Sequence, residues 1–194
     1  MHFALRLATP SFTSRFFAAP LIVAAAMLAS PARGALPLGA VAPDFTADAA
    51  LGGKPLRFHL AESLKKGPVV LYFYPRAFTS GCTLEAHAFA EATPAFNALG
   101  ASVVGLSNDD IETLKKFSVE ACRNKFAVAA DPRGRVIKQY DAELALMPGS
   151  MADRISYVIS PEGKVLHVHS SLDPDGHVKA TMKAVEAWKQ AFRR

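Results

Sequence analysis

Cysteine is scarce in this 194-residue chain, which holds two, Cys82 and Cys122. They stand forty residues apart. The chain therefore has no Cys-x-x-Cys pair, which argues against a dithiol oxidoreductase. Acidic side chains are missing from the first 34 residues, where Arg6, Arg15 and Arg33 are the only formal charges. Long hydrophobic runs are missing too: "FFAAPLIVAAAMLA", Phe16 to Ala29, has 14 residues, against the roughly 20 that a membrane-spanning helix needs. Charge of one sign is also lacking. The formal net charge of +5 comes largely from the leader, and beyond it nineteen basic residues face seventeen acidic ones, a net of +2. No nucleic-acid surface follows from that balance. No repeat or low-complexity stretch occurs outside the Ala-rich leader.

The acid-free start, the short apolar run and the small residues Ala32 and Gly34 in "PARG" read as a secretory signal peptide over residues 1–34, cleaved after Gly34. An uncleaved N-terminal anchor is the alternative. The reading makes residues 35–194 one domain with one good core, periplasmic or secreted and free of the membrane once cleaved. Both cysteines fall in that domain. An oxidising compartment permits them to pair, but the sequence leaves paired and free thiols open.

Along the domain, "PDFTADAALGGKPLRFHL" reads as two short strands about Gly52-Gly53. "GPVVLYFYP", Gly67 to Pro75, is an apolar run suited to a strand buried on both faces. Residues 80–98 read as a helix whose stripe includes Leu84, Ala88 and Ala92. A strand follows at Ala101–Ser107, then a helix from about Asp110 to Asn124, with Asn108 and Asp109 as candidate caps. A short strand at Phe126–Asp131 leads into the turn "DPRG". Strands at Arg154–Ser160 and Lys164–Ser170 flank "PEG", and an amphipathic helix spans Asp175–Phe192. Alternating β and α elements argue a largely parallel sheet, and the closing hairpin adds mixed strand direction. The pattern is that of a thioredoxin-like α/β fold: a central mixed sheet flanked by helices on both faces, with an N-terminal β-hairpin.

Cys82 follows a strand and a turn and opens a helix. Unpaired N–H groups of the first turn and the helix dipole both favour a thiolate there. Thr79, three residues earlier, has a hydroxyl that both donates and accepts. Pro75, seven residues earlier, ends the strand as an apolar wall. Without those neighbours, a lone cysteine reads as a small buried hydrophobe.

The spacing Pro75-x-x-x-Thr79-x-x-Cys82 resembles the active-site motif of peroxiredoxins. "FYPRAFTSGCTLEA" is similar to the bacterioferritin comigratory protein, or peroxiredoxin Q, subfamily. "GAVAPDF", "DRISYVIS" and "PEGKVLHVHSSLDPDGH" resemble that family in the same order, so the likeness covers about residues 37–190. The resemblance implies reduction of hydrogen peroxide and organic hydroperoxides, with Cys82 as the peroxidatic thiol passing through a sulfenic acid. It places charge stabilisation on Arg154 and orientation of that arginine on Glu85. It implies a thioredoxin-like or other thiol reductant, no cofactor or metal, and a monomer.

Many subfamily members carry a second cysteine five residues after the first, where this chain has His87. Some resolve instead through a cysteine on the later helix, which makes Cys122 the resolving thiol in an intramolecular disulfide. Lys115, Lys116, Arg123 and Lys125 lie near Cys122 in sequence and would favour its thiolate. Bonding requires Cα atoms within about 7 Å, so a mobile turn around residues 78–88 is expected. Two alternatives stand beside this reading. One is a one-cysteine peroxidase with a structural Cys122. The other is a thioredoxin-fold metal carrier using Cys82, His167 and His169, although a half-exposed strand explains that histidine pair better and the paired thiols of such carriers are absent.

Overall fold

The structure, a computed structural model, describes residues 34–149 and 151–192. The leader assigned as a signal peptide therefore lies outside the described residues, apart from Gly34.

Twelve elements follow one another: β1 (Thr46–Leu51), β2 (Lys54–His59), α1 (Leu60–Leu64), β3 (Val69–Phe73), α2 (Ser80–Ala98), β4 (Ser102–Ser107), α3 (Ile111–Glu120), β5 (Ala127–Ala130), α4 (Arg135–Gln139), β6 (Ile155–Ile159), β7 (Val165–Ser170) and α5 (His177–Ala191). The strands form one sheet in the order β2-β1-β5-β4-β3-β6-β7. Only the pairs β3–β4 and β4–β5 are parallel; the other four pairings are antiparallel. The expectation of a largely parallel sheet is thus corrected to a parallel centre with antiparallel flanks, because hairpins supply both edges. Gly52 and Gly53 adopt positive φ (56° and 76°) in the first hairpin turn, a conformation glycine enters without Cβ strain.

β3 is buried at every position, and its alternation divides the core. Val69, Leu71 and Phe73 pack with α1 and α4 residues such as Leu60, Leu64, Val136 and Ile137. Val70, Tyr72 and Tyr74 pack on the other face with Phe89 and Phe96 of α2, Leu114 and Phe117 of α3, and Val185 of α5. Fully burying each such side chain contributes about 1.5–3 kcal/mol. Helices therefore cover both faces, as the thioredoxin-like pattern requires.

Tyr72 stacks on Phe89 at 4.5 Å between centroids. Its ring fills the space over Gly105 of β4, where an added Cβ would come within 2.8 Å of the tyrosine Cζ.

Sequence periodicity missed α1 and α4, which at five residues each are too short to display it. It also misjudged the buried stripe of α2. Leu84 is 62% exposed, and the buried positions are Cys82, Glu85, Ala86, Phe89, Ala90, Thr93 and Phe96. Helix α3 ends at Glu120 rather than Asn124, because Arg123 and Asn124 turn to positive φ (49° and 59°). Its N-cap is Asp110, whose carboxylate accepts from the Thr113 N–H at 2.8 Å.

Candidate active site

Two parts of the chain converge on Cys82. β3 and the turn after it deliver the thiol to the first turn of α2, where Thr79 is the N-cap. The turn is fastened from below: the Asp109 carboxylate accepts from the Ala77 N–H (2.7 Å) and the Ser107 hydroxyl (2.8 Å). Asp109 thus pins the active-site turn instead of capping α3. The Pro75 ring follows Tyr74, half-buried. Phe78, just before the N-cap, holds φ at +64°, a backbone region costly for a residue with a bulky side chain. Its ring rests edge-on against Phe117.

The second part is the start of β6. Antiparallel pairing sets Ile155 opposite Phe73, so Arg154 lands beside the strand-to-helix turn. Its side chain is 6% exposed, and the guanidinium donates in three directions. Nη2 donates to the Cys82 Sγ at 3.5 Å, Nη1 donates to Glu85 Oε2, and Nε donates to the Leu172 carbonyl at 2.9 Å. A planar guanidinium suits such divided donation, where an ammonium does not.

Glu85 is 1% exposed. Burial pushes its carboxyl up from the usual range to about 7, against the opposing pull of Arg154. The solvated helical carboxylate that a sequence reader would assume is absent at this position. Behind Glu85 sits His177, the first residue of α5, with Nδ1 3.5 Å from Glu85 Oε1 and 2.8 Å from the Ser156 Oγ. Burial holds this imidazole down at about 4. His177 and Ser156 escaped the sequence reading. The only available signal was a polar residue opening a helix straight after "DPDG", which is the usual look of an exposed position.

Cys82, Glu85 and Arg154 are thus brought together as expected. Thr79 is nearby but its hydroxyl donates to the Arg76 carbonyl at 3.0 Å. Cys122 lies in the turn after α3, not on the helix, and its N–H donates to the Phe117 carbonyl at 3.0 Å. Both cysteines are free thiols, fully buried in the same core cluster. The expected cationic setting of Cys122 is corrected: Arg123 pairs with Glu91 and Lys115 with Glu112, while burial pushes the Cys122 thiol well above its ordinary range. His87 is half-buried on α2. His167 and His169 do share one face of β7, opposite Val158 and Ser156. His169 packs edge-on against His177 at 4.5 Å. Among the described residues no group of three or more His, Cys, Asp or Glu side chains could hold a metal ion, and no helix is long and apolar enough to cross a membrane.

Residues 38–168 match the AhpC/TSA family. A chloroplastic peroxiredoxin Q from Oryza sativa subsp. japonica is 31% identical over 173 residues, covering 81% of this chain and 77% of that protein. A peroxiredoxin of Mycobacterium tuberculosis is 37% identical over 140 residues, covering 70% of this chain and 89% of the relative. The crystal structure of the peroxidoxin BcpB from M. tuberculosis superposes with a TM-score of 0.67 at 34% identity, covering 77% of this chain and 96% of that one. A reduced 2-Cys peroxiredoxin of Plasmodium vivax, at 24% identity and a TM-score of 0.71, shares the fold. In sequence and in fold alike the chain belongs to the AhpC/TSA family, as a peroxiredoxin of the peroxiredoxin Q kind, a thiol peroxidase that takes peroxide and a thiol reductant.

Proposed function

We propose that Cys82 is the peroxidatic residue and that Cys122 resolves it. The carrying observation is the Arg154 guanidinium, which touches the Cys82 sulfur and is itself buried against Glu85. The thiolate attacks the hydroxyl oxygen of the hydroperoxide. An S–O bond forms, the O–O bond breaks, and the alkoxide or hydroxide that departs takes up a proton. Cys82 becomes a sulfenic acid. Negative charge moves from sulfur to the departing oxygen, and Arg154 with the free N–H groups of the α2 first turn offers donors already in place. Thr79 and Pro75 shape the mouth of that turn.

Cys122 then attacks the sulfenic sulfur, giving a disulfide and water, and an external thiol, thioredoxin-like or other, restores both cysteines. Both thiols are fully buried, so the step needs the first turn of α2 and the turn after α3 to open. The strained Phe78 and the exposed Arg123–Glu91 pair, of a kind worth about 0–1 kcal/mol, make those segments cheap to part. The protein works as an exported monomer, on the strength of the leader sequence and the subfamily likeness. A one-cysteine cycle is the second reading, favoured by the burial of Cys122 and its upward-shifted thiol.

Stopped-flow reaction with one equivalent of peroxide, followed by peptide mapping, tests both. A Cys82–Cys122 cross-link is the expected product. An oxidised Cys82 beside a free Cys122 establishes the one-cysteine cycle instead.

A further inference from the structure

The buried network behind Cys82 is one proton short. Glu85 Oε1 is buried with no hydrogen-bond donor, although both the Glu85 and His177 side chains are wholly shielded from solvent. The His177 tautomer follows from its partners. Nε2 lies 3.0 Å from the Ser171 carbonyl, which only accepts, so Nε2 carries hydrogen. In the neutral ring Nδ1 is then an acceptor, filled by the Ser156 hydroxyl at 2.8 Å. An ionised Glu85 would leave Oε1 facing that lone pair at 3.5 Å, with both groups desolvated and neither donating. One added proton removes the conflict. On Nδ1 it makes an imidazolium that donates to Ser156 and faces the carboxylate; on Oε1 it makes a neutral acid pointing at the ring.

We propose that His177 and Glu85 hold one shared proton behind Arg154, and that this proton governs how much of the arginine's charge is free to act on Cys82. His177 is a positioning residue in this scheme, since it touches neither sulfur nor peroxide. The proposal rests on Cys82 being the reactive thiol and adds the group that sets its charge balance. With the proton in place, Glu85 and His177 together carry no net charge, so Arg154 and a Cys82 thiolate form a neutral buried set. With the proton gone, a second buried negative charge competes with the sulfur for one guanidinium.

The two ionisations are therefore linked: a thiolate on Cys82 tightens the hold on the shared proton, and the shared proton favours the thiolate to the same degree. The downward position of His177 and the upward position of Glu85 agree with the proton residing mainly on the carboxyl side. The other groups around the pair are Arg154, Ser156 of β6, Tyr72 of β3 and His169 of β7. His169 meets His177 ring edge to ring face, so it is the one further imidazole in contact.

The test is nitrogen NMR of the reduced full-length protein labelled at histidine, titrated between pH 5 and 9, in wild type and Cys82→Ser. Serine preserves size at residue 82, and the measurement uses no peroxide. His177 is expected to keep hydrogen on Nε2 throughout, with the step in its Nδ1 resonance that marks loss of the shared proton falling about one pH unit lower in Cys82→Ser, the scale of one strongly interacting charge. His59 of β2, whose ring pairs with Asp44, serves as the internal control. Alkylation of Cys82 by iodoacetamide across the same range should follow two ionisations in wild type and one in Glu85→Gln. Hydrogen on His177 Nδ1 at high pH, or coincident His177 titrations in the two proteins, overturns the shared proton. A wild type that passes this test yet fails to react with peroxide would instead sink the peroxidase role of Cys82.

Discussion

Replacing Arg154 by alanine removes three donated hydrogen bonds together, to the Cys82 sulfur, to Glu85 and to the Leu172 carbonyl. Two quantities should change, and they should change separately. The rate constant for peroxide should fall about 10²- to 10³-fold, the effect of deleting one preorganised donor at a developing charge. Stability should fall by an amount that depends on pH. Deleting one partner of a buried ion pair costs about 3–5 kcal/mol when the other stays charged. Glu85 already sits at about 7 beside Arg154, and without it the carboxyl moves further up. At pH 5.5 the carboxyl is protonated in both proteins, so the loss is that of hydrogen bonds, about 1–2 kcal/mol. At pH 8.5 the wild type holds the ion pair, whereas the variant must either keep a bare buried carboxylate or take up a proton against the pH, so the loss approaches the full penalty. For a domain of this size the melting temperature should drop by about 5 °C at the lower pH and about 12 °C at the higher. Stopped-flow fluorescence gives the rate and thermal melts at the two pH values give the stability. A double variant, Arg154→Met with Glu85→Leu, should recover stability without recovering rate. An Arg154→Ala rate within about threefold of wild type, or a destabilisation that is the same at both pH values, would refute this role of the guanidinium.

Further outcomes are as specific. Cys82→Ser should abolish peroxide turnover with an unchanged circular dichroism spectrum. Cys122→Ser should react once with peroxide and then accumulate sulfenic and sulfinic forms, read by mass spectrometry; clean repeated turnover with a thioredoxin-type reductant would show that Cys122 is dispensable. Glu85, raised to about 7, contributes stability that is lost as pH rises from 4.5 towards 7, whereas His177, lowered to about 4, contributes stability lost as pH falls from 6.5 towards 4. The two slopes oppose, so the wild-type unfolding free energy should vary little between pH 4.5 and 6.5, while Glu85→Gln should gain stability as pH rises over that range in urea titrations. Export of the full chain in a bacterial host should yield a periplasmic product beginning at Ala35, and a cytosolic product retaining Met1 would refute the leader assignment.

The readable parts of this sequence were those where local chemistry and tertiary demand agree. β3 is apolar throughout because both faces of the sheet are covered, and its run announces that. Cys82, Pro75 and Thr79 were legible from spacing, and Arg154 and Glu85 only from the family likeness. What hid from inspection was burial of polar groups by distant partners. Leu84 looks like a core residue and Glu85 like a surface one, yet their environments are reversed, because Arg154 arrives from β6 to meet the carboxylate. The position of Cys122 was misread for a similar reason: its flanking cations point to partners on the surface while the thiol turns inward.

The missing side chain of Gly105 constrains the lineage as well as the molecule. Tyr72 occupies the space that any Cβ at residue 105 would take, and the same ring is sandwiched onto Phe89 of the helix that carries Cys82. A methyl group at 105 would therefore displace the reactive helix through two stacked rings, rather than merely crowd the sheet. Neither residue is free to drift alone. Descendants that gain a side chain at 105 should be those that have exchanged Tyr72 for something smaller, so the two positions should change as a pair.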